Sequence, residues 1–576
     1  MRKFLSLLLA VLMIASLSGI AFAEETTAVG TPRTETLIVE TQTPTDVPGQ
    51  FNSYMQGTQM GFGIHQLMSA MMWEMDTVKG EQFGEVAEGM PESNEDFTEH
   101  IVKIRQGIKW SDGEDLNADD VVFTFNMIMS NKGISQCDYY NTVFASIEKV
   151  DDYTVKFVTK ESFPRLALKF GVTIWGNDCR IVPEHIYSKV EDVTTFKDSE
   201  PVVAGPYTVK AYDELGNWIL YERREDWQNS TVGVVTGKMP QAKYVWFRYL
   251  GDDTTRQMSM INNEADILCE VTPEILDVMT SYNDKIACWY NEFPYATSDD
   301  PCSKGLSFMM GKAPYDNVDF RWGITLAMNF DEISMNVFDG VGRASCFPIL
   351  TATSAMQELY YKPLLPWLEN EFVLDLGDGT TAKPFDSGYA ARMAQKLGIK
   401  GTEDELIDMF GIGCWKYDPE AATKLLIKAG LEKKDDGWYY NGKPFVINMT
   451  YLADTEAQAG RGVIAAYDQL TKFGLKCNLS SESSATWDAD LIVPLGERGS
   501  GQGSRWNNAE ATEIIHKLAK VSATSDESYE LGMEFVKIAI QDMPFIGFHS
   551  GVKFVPTNST YWTNYPCAEN PYNGPW

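Results

Sequence analysis

Hydrophobic and polar residues follow two periods along this chain, and each period predicts a different secondary structure. Alternation with a period of two predicts strands at 35–41, 98–105, 153–158 and 216–222. Apolar residues spaced three and four apart predict helices at 64–74, 254–263, 319–337, 418–430, 460–472, 509–519 and 526–541. Strands and helices are interspersed without an internal repeat, so the pattern predicts an α/β fold with more than one domain.

The segment 98–129 combines a predicted strand, a turn and the start of a helix. The turn lies at 107–113 and has a glycine at each end. Asn117 is placed to cap the following helix, and Asp119 and Asp120 fall in its first turn, where the helix dipole favours negative charge. The apolar face of this helix is formed by Val121, Val122, Phe125 and Met129. A capped, amphipathic helix is therefore expected to begin near Asn117.

The first 23 residues differ from the rest of the chain. Two basic residues precede an apolar run at 4–20, and a sequence of small residues ends at Ala23. This arrangement predicts a secretory signal peptide cleaved near Ala23; the alternative is an uncleaved membrane anchor, for which the apolar run is short. No lipobox cysteine follows, because the first cysteine is Cys137. We therefore expect an exported protein, free in a periplasm or outside the cell.

Composition narrows the classes of partner. The 576 residues include 48 Lys and Arg against 81 Asp and Glu, which gives a formal net charge of −33. A chain this acidic disfavours a nucleic-acid partner and an anionic membrane surface, because both require clustered cations. Its 44% hydrophobic content is too high for a disordered protein. Because like-charged copies repel one another, we expect a soluble monomer.

Motifs for catalysis, cofactors and metals are missing from the sequence. The five histidines include no pair spaced four apart, and neither a G-x-S-x-G elbow nor a phosphate-binding loop occurs. Gly499, Gly501 and Gly503 predict a flexible loop rather than a dinucleotide turn, because the third glycine is misplaced. We therefore expect no catalytic residue, no metal and no cofactor. The nine cysteines are scattered, and both disulfides and buried thiols stay open as interpretations.

Residues 101–113 (IVKIRQGIKWSDG) and 116–125 (LNADDVVFTF) closely resemble the signature of family 5 extracytoplasmic solute-binding proteins. This family contains the oligopeptide-, dipeptide-, nickel- and oligosaccharide-binding proteins of ABC importers. Further segments resemble the family in the family's own order: 151–155, 182–186, 205–207, 253–256, 264–266, 319–333, 417–430 and 543–546. The resemblance spans nearly the whole chain after the predicted signal peptide.

The resemblance implies an α/β, two-lobed periplasmic-binding-protein-like fold with a hinge and an extra inserted domain. Lobe one is expected to comprise 24–66, 199–303 and 545–576. The extra domain is expected at 67–198 and lobe two at 304–544. Two lobes that close on a ligand form a water-poor cleft without any need for catalysis.

The resemblance leaves the ligand open between an oligosaccharide and an oligopeptide. In peptide-binding members, an aspartate holds the amino terminus of the ligand, and it follows a strand that 488–492 of this chain resembles. In this chain, 491–525 contain no aspartate. Glu497 can take the place of that aspartate. The segment 561–572 resembles the ending of oligosaccharide-binding members, and sugar rings stack on aromatic side chains. These two features favour a sugar. Nickel is disfavoured because the histidines do not cluster.

Five residues are predicted to contact the ligand: Asn52, Trp73, Trp487, Arg505 and Trp506. Asn52 lies in the polar first loop, and Arg505 and Trp506 stand where the family places a pocket-lining loop. Each has a structural interpretation as well, since tryptophans are also core residues and Arg505 can be a surface charge.

The function implied by the resemblance is the substrate-binding component of an ABC importer, which delivers its ligand to the permease subunits and is not an enzyme. The alternative from another class is a secreted hydrolase that acts on an oligomeric substrate in a large cleft. A sensor or chaperone-like receptor on the same fold is a third interpretation.

Overall fold

The structure is a computed structural model that describes residues 25–55, 57–58, 61–76, 79–171, 179–348, 351–452, 457–482 and 506–574. Over these ranges, no helix is both long enough and apolar enough to cross a membrane. The predicted signal peptide lies outside the described residues, so its cleavage stays a prediction.

The described residues form the following elements. The strands are β1 (Thr36–Thr41), β2 (Trp73–Asp76), β3 (Glu81–Gly84), β4 (Glu92–Ser93), β5 (Glu99–Lys103), β6 (Phe144–Asp151), β7 (Thr154–Thr159), β8 (Tyr207–Tyr212), β9 (Trp218–Arg223), β10 (Tyr244–Tyr249), β11 (Ile286–Ala287), β12 (Thr297–Ser307), β13 (Leu374–Asp375), β14 (Thr381–Ala382), β15 (Phe385–Asp386), β16 (Cys414–Trp415), β17 (Leu431–Lys434), β18 (Gly437–Tyr440), β19 (Lys443–Pro444), β20 (Val446–Leu452), β21 (Lys476–Glu482), β22 (Phe545–Lys553) and β23 (Thr557–Asn558). The α-helices are α1 (Ala118–Ser130), α2 (Cys137–Val143), α3 (Leu166–Phe170), α4 (Glu184–Tyr187), α5 (Thr231–Thr236), α6 (Asp253–Ile261), α7 (Pro273–Tyr282), α8 (Val318–Leu326), α9 (Phe330–Phe338), α10 (Ser354–Met356), α11 (Lys362–Asn370), α12 (Tyr389–Leu397), α13 (Glu403–Phe410), α14 (Pro419–Lys428), α15 (Ala457–Phe473), α16 (Ala509–Leu518) and α17 (Asp526–Asp542).

The first lobe is built on a four-stranded sheet with the strand order β1-β10-β9-β8. β1 and β10 are parallel, and the other neighbours are antiparallel. Successive residues of a strand point to opposite faces. Accordingly, Tyr221 and Phe247 belong to one hydrophobic core, whereas Leu220 and Trp246 belong to another. The sheet is therefore buried on both faces.

A second four-stranded sheet, with the order β4-β5-β7-β6, is antiparallel and carries helix α1. Asn117 caps this helix as predicted: its side chain accepts a hydrogen bond from Asp119 N at 2.7 Å, and the Asp120 carboxylate accepts one from Asn117 N at 3.0 Å. Phe125 is fully buried, with its ring 5.0 Å from the ring of Phe157. The predicted strand and capped helix of this segment are confirmed.

Two of the predicted helices differ from the structure. The helix predicted at 319–337 is broken into α8 and α9, because the Asn329 side chain accepts a hydrogen bond from Glu332 N and caps a new helix. The helix predicted at 64–74 is only one turn, Ile64–Met68, followed by strand β2. In β2 the Trp73 side chain is fully buried, and the strand pairs with β3.

The largest core draws its residues from 308 to 548 and forms the second lobe. It includes the parallel pair β20 and β21, in which Val446 lies opposite Lys476 and Leu452 lies opposite Glu482. Helix α15 packs against both strands. Parallel strands covered by helices are typical of α/β lobes.

Two long strands, β12 and β22, connect the lobes. They pair antiparallel with each other along their length. At one end, Ala296 and Phe554 belong to a core that a bridge between Ile267 and Val39 ties to the first-lobe sheet. At the other end, Phe308 and Ile546 belong to the second-lobe core. The chain thus passes twice between the cores, in agreement with the predicted two-lobed α/β class, whereas the residue boundaries of the domains stay predictions.

Candidate functional site

The candidate site lies between the lobes, where α15, the helix that follows parallel strand β20, packs against β12 and β22. α/β folds bind ligands outside the carboxyl ends of their parallel strands. β20 and β21 end at Leu452 and Glu482, and α15 begins shortly after β20. In the first lobe, Ile267 bridges Val39 in parallel, so the chain runs alongside β1 and then enters α7 near the carboxyl end of β1.

A buried ion pair supports the first-lobe side of this site. Glu40, near the end of β1, is 3% exposed and accepts hydrogen bonds from Arg256 Nε at 2.5 Å and Nη2 at 2.9 Å. The same carboxylate accepts a hydrogen bond from Cys269 N at 2.9 Å. Arg256 Nη2 also donates to Glu270 O at 2.8 Å. Glu40 therefore fixes the backbone that leads into α7.

A second cluster of charged side chains lies where β12 and β22 meet, and one of its carboxylate oxygens lacks a hydrogen bond from any described residue. Asp300 is 3% exposed, and its carboxylate accepts a hydrogen bond from Cys302 N at 2.9 Å. Its Oδ2 atom has no hydrogen-bond partner among the described residues, and Lys553 Nζ stands 3.6 Å away. The same ammonium is 4.0 Å from Glu270 Oε2. Lys553 thus lies within 4.0 Å of two carboxylates, and Asp300 Oδ2 retains capacity to accept a hydrogen bond from a bound molecule.

His549 of β22 is a buried structural residue of the same crossing. Its ring nitrogens lie 2.5 Å from Ser550 O and 2.5 Å from Val341 O, and its ring stacks on Phe338 at 3.7 Å. Burial lowers the pKa of His549 to about 4, although both carbonyl contacts favour the charged form. The contact between His549 Nε2 and Val341 O links β22 to the loop after α9.

A small cavity, partly open to solvent, lies between the lobes beside this crossing. Its walls come from the first lobe and β22 on one side and from α9 and α15 on the other; they include Thr272, Pro273, Val552 and Phe554, and Phe338, Gln458 and Arg461. Arg461 Nη2 reaches across to Glu274 Oε1 at 3.2 Å. Gln458 is 6% exposed, and its Oε1 atom has no hydrogen-bond partner among the described residues. The cavity is therefore mostly apolar, with a few polar groups at defined places, as small-molecule sites usually are.

Of the five predicted contact residues, the three that the structure describes do not line this cavity. Asn52 is fully buried; its amide donates to Val193 O at 2.7 Å and Phe196 O at 3.0 Å. Trp73 is fully buried in the core of the second sheet and donates to Gly89 O. Trp506 donates to Asp542 Oδ2 at 2.9 Å. Trp487 and Arg505 lie outside the described residues. Ligand contact by all five stays a prediction.

The groups that line the crossing were not singled out from the sequence. Asp300 and Lys553 lie in strands whose charged residues look like ordinary surface positions, and Gln458 lies in an amphipathic helix. Glu40 lies in the predicted strand 35–41, and nothing in the sequence marks it as the partner of Arg256. One sequence signal for such groups is a charged residue inside a predicted strand. If that strand is central in its sheet, the charge is buried and needs an oppositely charged partner.

The aromatic segment 561–572 contacts the beginning of β1. Trp562 Nε1 donates to Thr36 O at 3.0 Å, and the Tyr561 ring lies 4.0 Å from the Arg33 guanidinium carbon. Tyr572 donates to Asn564 O within the segment itself. In this structure these side chains pack on the first lobe.

Comparisons with known proteins agree with this architecture. The sequence profile described as "Bacterial extracellular solute-binding proteins, family 5 Middle" matches residues 83–493. A probable peptide-binding protein, YejA, of Agrobacterium fabrum is 21% identical over 473 residues, which cover 78% of this chain and 71% of the relative. A dipeptide-binding protein of Escherichia coli is 26% identical over 350 residues; the match spans 54% of this chain and 61% of that protein's length.

A solved structure shares the fold. The mannohexaose-bound periplasmic oligopeptide-binding protein of Thermotoga maritima superposes with a TM-score of 0.72 at 21% identity, covering 94% of this chain and 95% of that chain. That protein carries a peptide-binding name and holds a sugar, so a name within this fold does not identify a ligand.

Proposed function

The chain belongs to the family 5 bacterial extracellular solute-binding proteins, and we propose that it is the substrate-binding component of an ABC importer. It captures an oligosaccharide or an oligopeptide between its lobes and delivers it to the permease subunits. The observation that carries this proposal is the crossing of β12 and β22, which joins two separately packed cores beside a cavity walled by both.

The geometry supports capture without catalysis. Lobes joined through a pair of strands can rotate about them and enclose a ligand, which removes most of its surface from water. Burial lowers the pKa of His549 to about 4, which keeps this imidazole at the crossing neutral. The protein's chemistry in this role is binding, closure and release.

An oligosaccharide is the preferred ligand class within this proposal. No aspartate follows the 488–492 segment to anchor a peptide amino terminus, with Glu497 as the substitute, and the 561–572 segment resembles sugar-binding members. A net charge of −33 also repels a strongly anionic solute. Sugars are uncharged and combine an apolar C–H face with hydroxyl groups, which suits an apolar cavity with isolated polar atoms.

Ligand-induced thermal stabilisation tests this function. A ligand that binds only the folded state raises the apparent stability by RT ln(1 + [L]/Kd), or about 2.7 kcal/mol at 100 times Kd. The protein would be heated alone and with mannohexaose, a β-linked glucose hexamer, a dipeptide and a nonapeptide. Stabilisation by an oligosaccharide supports the sugar preference, and stabilisation by peptides alone contradicts it.

Two further measurements separate binding from the other functions. Recovery of each probe intact after incubation, checked by mass spectrometry, supports a binding protein; cleaved probe contradicts it. Uptake of a bound probe by cells that express the chain with its neighbouring permease and ATPase genes supports import, and binding without any uptake favours a sensor. The mass of the exported protein checks the predicted cleavage near Ala23.

A further inference from the structure

Gln458, near the start of α15, is buried at the interlobe cavity with an unused acceptor. The residue is 6% exposed, and no described residue donates a hydrogen bond to its Oε1 atom. Buried polar side chains in native proteins are nearly always hydrogen-bonded, because an unpaired acceptor loses its hydration without compensation. An orphan acceptor in the wall of a cavity therefore indicates a group that the cavity receives.

The surroundings define the chemistry of that group. Phe338 and Val341 from the second lobe and Val552 and Phe554 near the crossing give the cavity an apolar wall. The nearby cation is already paired, since Arg461 Nη2 lies 3.2 Å from Glu274 Oε1. An uncharged donor beside an apolar surface thus fits better than a carboxylate or an ammonium group.

Both lobes contribute residues to the wall of the cavity. Gln458 and Arg461 belong to α15 of the second lobe, whereas Thr272 and Pro273 stand at the start of α7 in the first lobe. A molecule that fills the cavity beside Gln458 would therefore have neighbours in both lobes.

We propose that Gln458 is a ligand-contacting residue, whose Oε1 atom accepts a hydrogen bond from an uncharged hydroxyl or amide group of the captured solute. The proposal rests on the proposed function, because it assigns a contact in the cleft of a solute-binding protein. A sugar hydroxyl and a peptide N–H share this donor chemistry, and the probes below distinguish them.

The test compares Q458L with a matched variant on the same helix, Q469L. Both polar atoms of the Gln469 side chain are hydrogen-bonded: Oε1 accepts a hydrogen bond from Asn329 N at 2.6 Å, and Nε2 donates one to Asn329 O at 3.2 Å. Removing an unpaired acceptor should raise Tm of the ligand-free protein by about 1–3 °C for Q458L. Q469L should lower Tm, because it leaves Asn329 N without an acceptor, although Asn329 O still accepts a hydrogen bond from Ile333 N at 3.1 Å.

Binding is measured on the same proteins with mannohexaose and with a nonapeptide. The expected result is that Q458L weakens binding of whichever probe stabilises the wild type by about 10-fold or more, while Q469L retains its affinity. Q458M, which keeps an unbranched side chain, should reproduce both effects and guards against a local packing defect from leucine.

Each outcome decides the proposal. A lower Tm for both Q458L and Q458M would show that the wild-type amide is already satisfied, by an internal water or a neighbour, and would overturn it. Unchanged probe affinity would overturn it even if Tm rises. Failure of the wild type to bind any probe would instead refute the proposed ligand classes and this contact with them; because that failure precedes any substitution, it is distinguishable.

Discussion

The replacement D266N should strongly destabilise the first lobe, because it removes one half of a buried ion pair. Asp266 receives Arg33 Nη2 at 2.6 Å on Oδ1 and Arg33 Nη1 at 3.0 Å on Oδ2. Its Oδ2 also accepts a hydrogen bond from Ile38 N of β1 at 2.7 Å. The two side chains are only 4% and 1% exposed. Asparagine keeps the shape of the side chain but leaves the guanidinium charge unpaired.

The structure sets the size of this effect. Removing one partner of a buried pair costs about 3–5 kcal/mol, since the remaining charge loses both water and counter-ion. Burial raises the pKa of Asp266 even though Arg33 and the Ile38 amide oppose the shift. Desolvation therefore outweighs the attraction within the pair, and replacing both groups by apolar ones should cost much less than replacing one.

The assay is urea unfolding of the whole chain, followed by tryptophan fluorescence. D266N should lose about 3–5 kcal/mol of unfolding free energy, and R33M/D266L should be clearly more stable than D266N. E513Q, which breaks the exposed pair between Glu513 and Lys517, serves as the control and should leave the midpoint unchanged. A D266N loss below about 1 kcal/mol, or a double variant less stable than D266N, would refute the reasoning.

Three further predictions follow from other features. In a double-mutant cycle, E274A and R461A should show a coupling of about 0.2–1 kcal/mol in ligand affinity, because the pair crosses between the lobes but is largely exposed; additive effects would contradict an interlobe role. Burial, with the charge of Glu74, raises the pKa of Glu85 from 4.5 to about 8, so this group's contribution to stability is lost as pH rises through that range. E85Q should therefore gain stability over the wild type at pH 8 but not at pH 4, as urea midpoints at both values will show; equal differences at the two would contradict it. All nine cysteines are free thiols in the structure, so titration with Ellman's reagent in denaturant should count nine, with exposed Cys302 fastest in the native protein; a lower count would indicate disulfides.

The sequence predicted local elements well where one signal dominated. The 98–130 segment has a clear strand period and an unambiguous cap at Asn117, and both formed as expected. The break between α8 and α9 was missed, because apolar periodicity continues through 327–329 while the Asn329 cap acts locally. The helix predicted at 64–74 was wrong beyond its first turn, because 73–76 form β2 and pair with β3. Periodicity within one segment does not encode this contact with another segment.

The site was less predictable than the fold, for a physical reason. Tryptophans are apolar enough to fill a core and flat enough to bind a sugar, and sequence alone does not separate these uses; Trp73 is fully buried. Conversely, Gln458 resembles any polar residue of an amphipathic helix until the surrounding lobes bury it. The significance of a polar group in a cavity depends on what its neighbours leave unbonded, which is a property of tertiary structure.

The contact between Trp562 and Thr36 also sets an order of events during synthesis. The two residues are 526 positions apart in the chain. At about 5–20 residues per second, a ribosome makes Trp562 roughly half a minute to two minutes after Thr36. The sheet of β4 to β7 is complete within one short stretch and can form early, whereas β1 waits for its late neighbours. The lobe that begins the fold is therefore the last to be finished, and it is the part most exposed to premature association or to a chaperone.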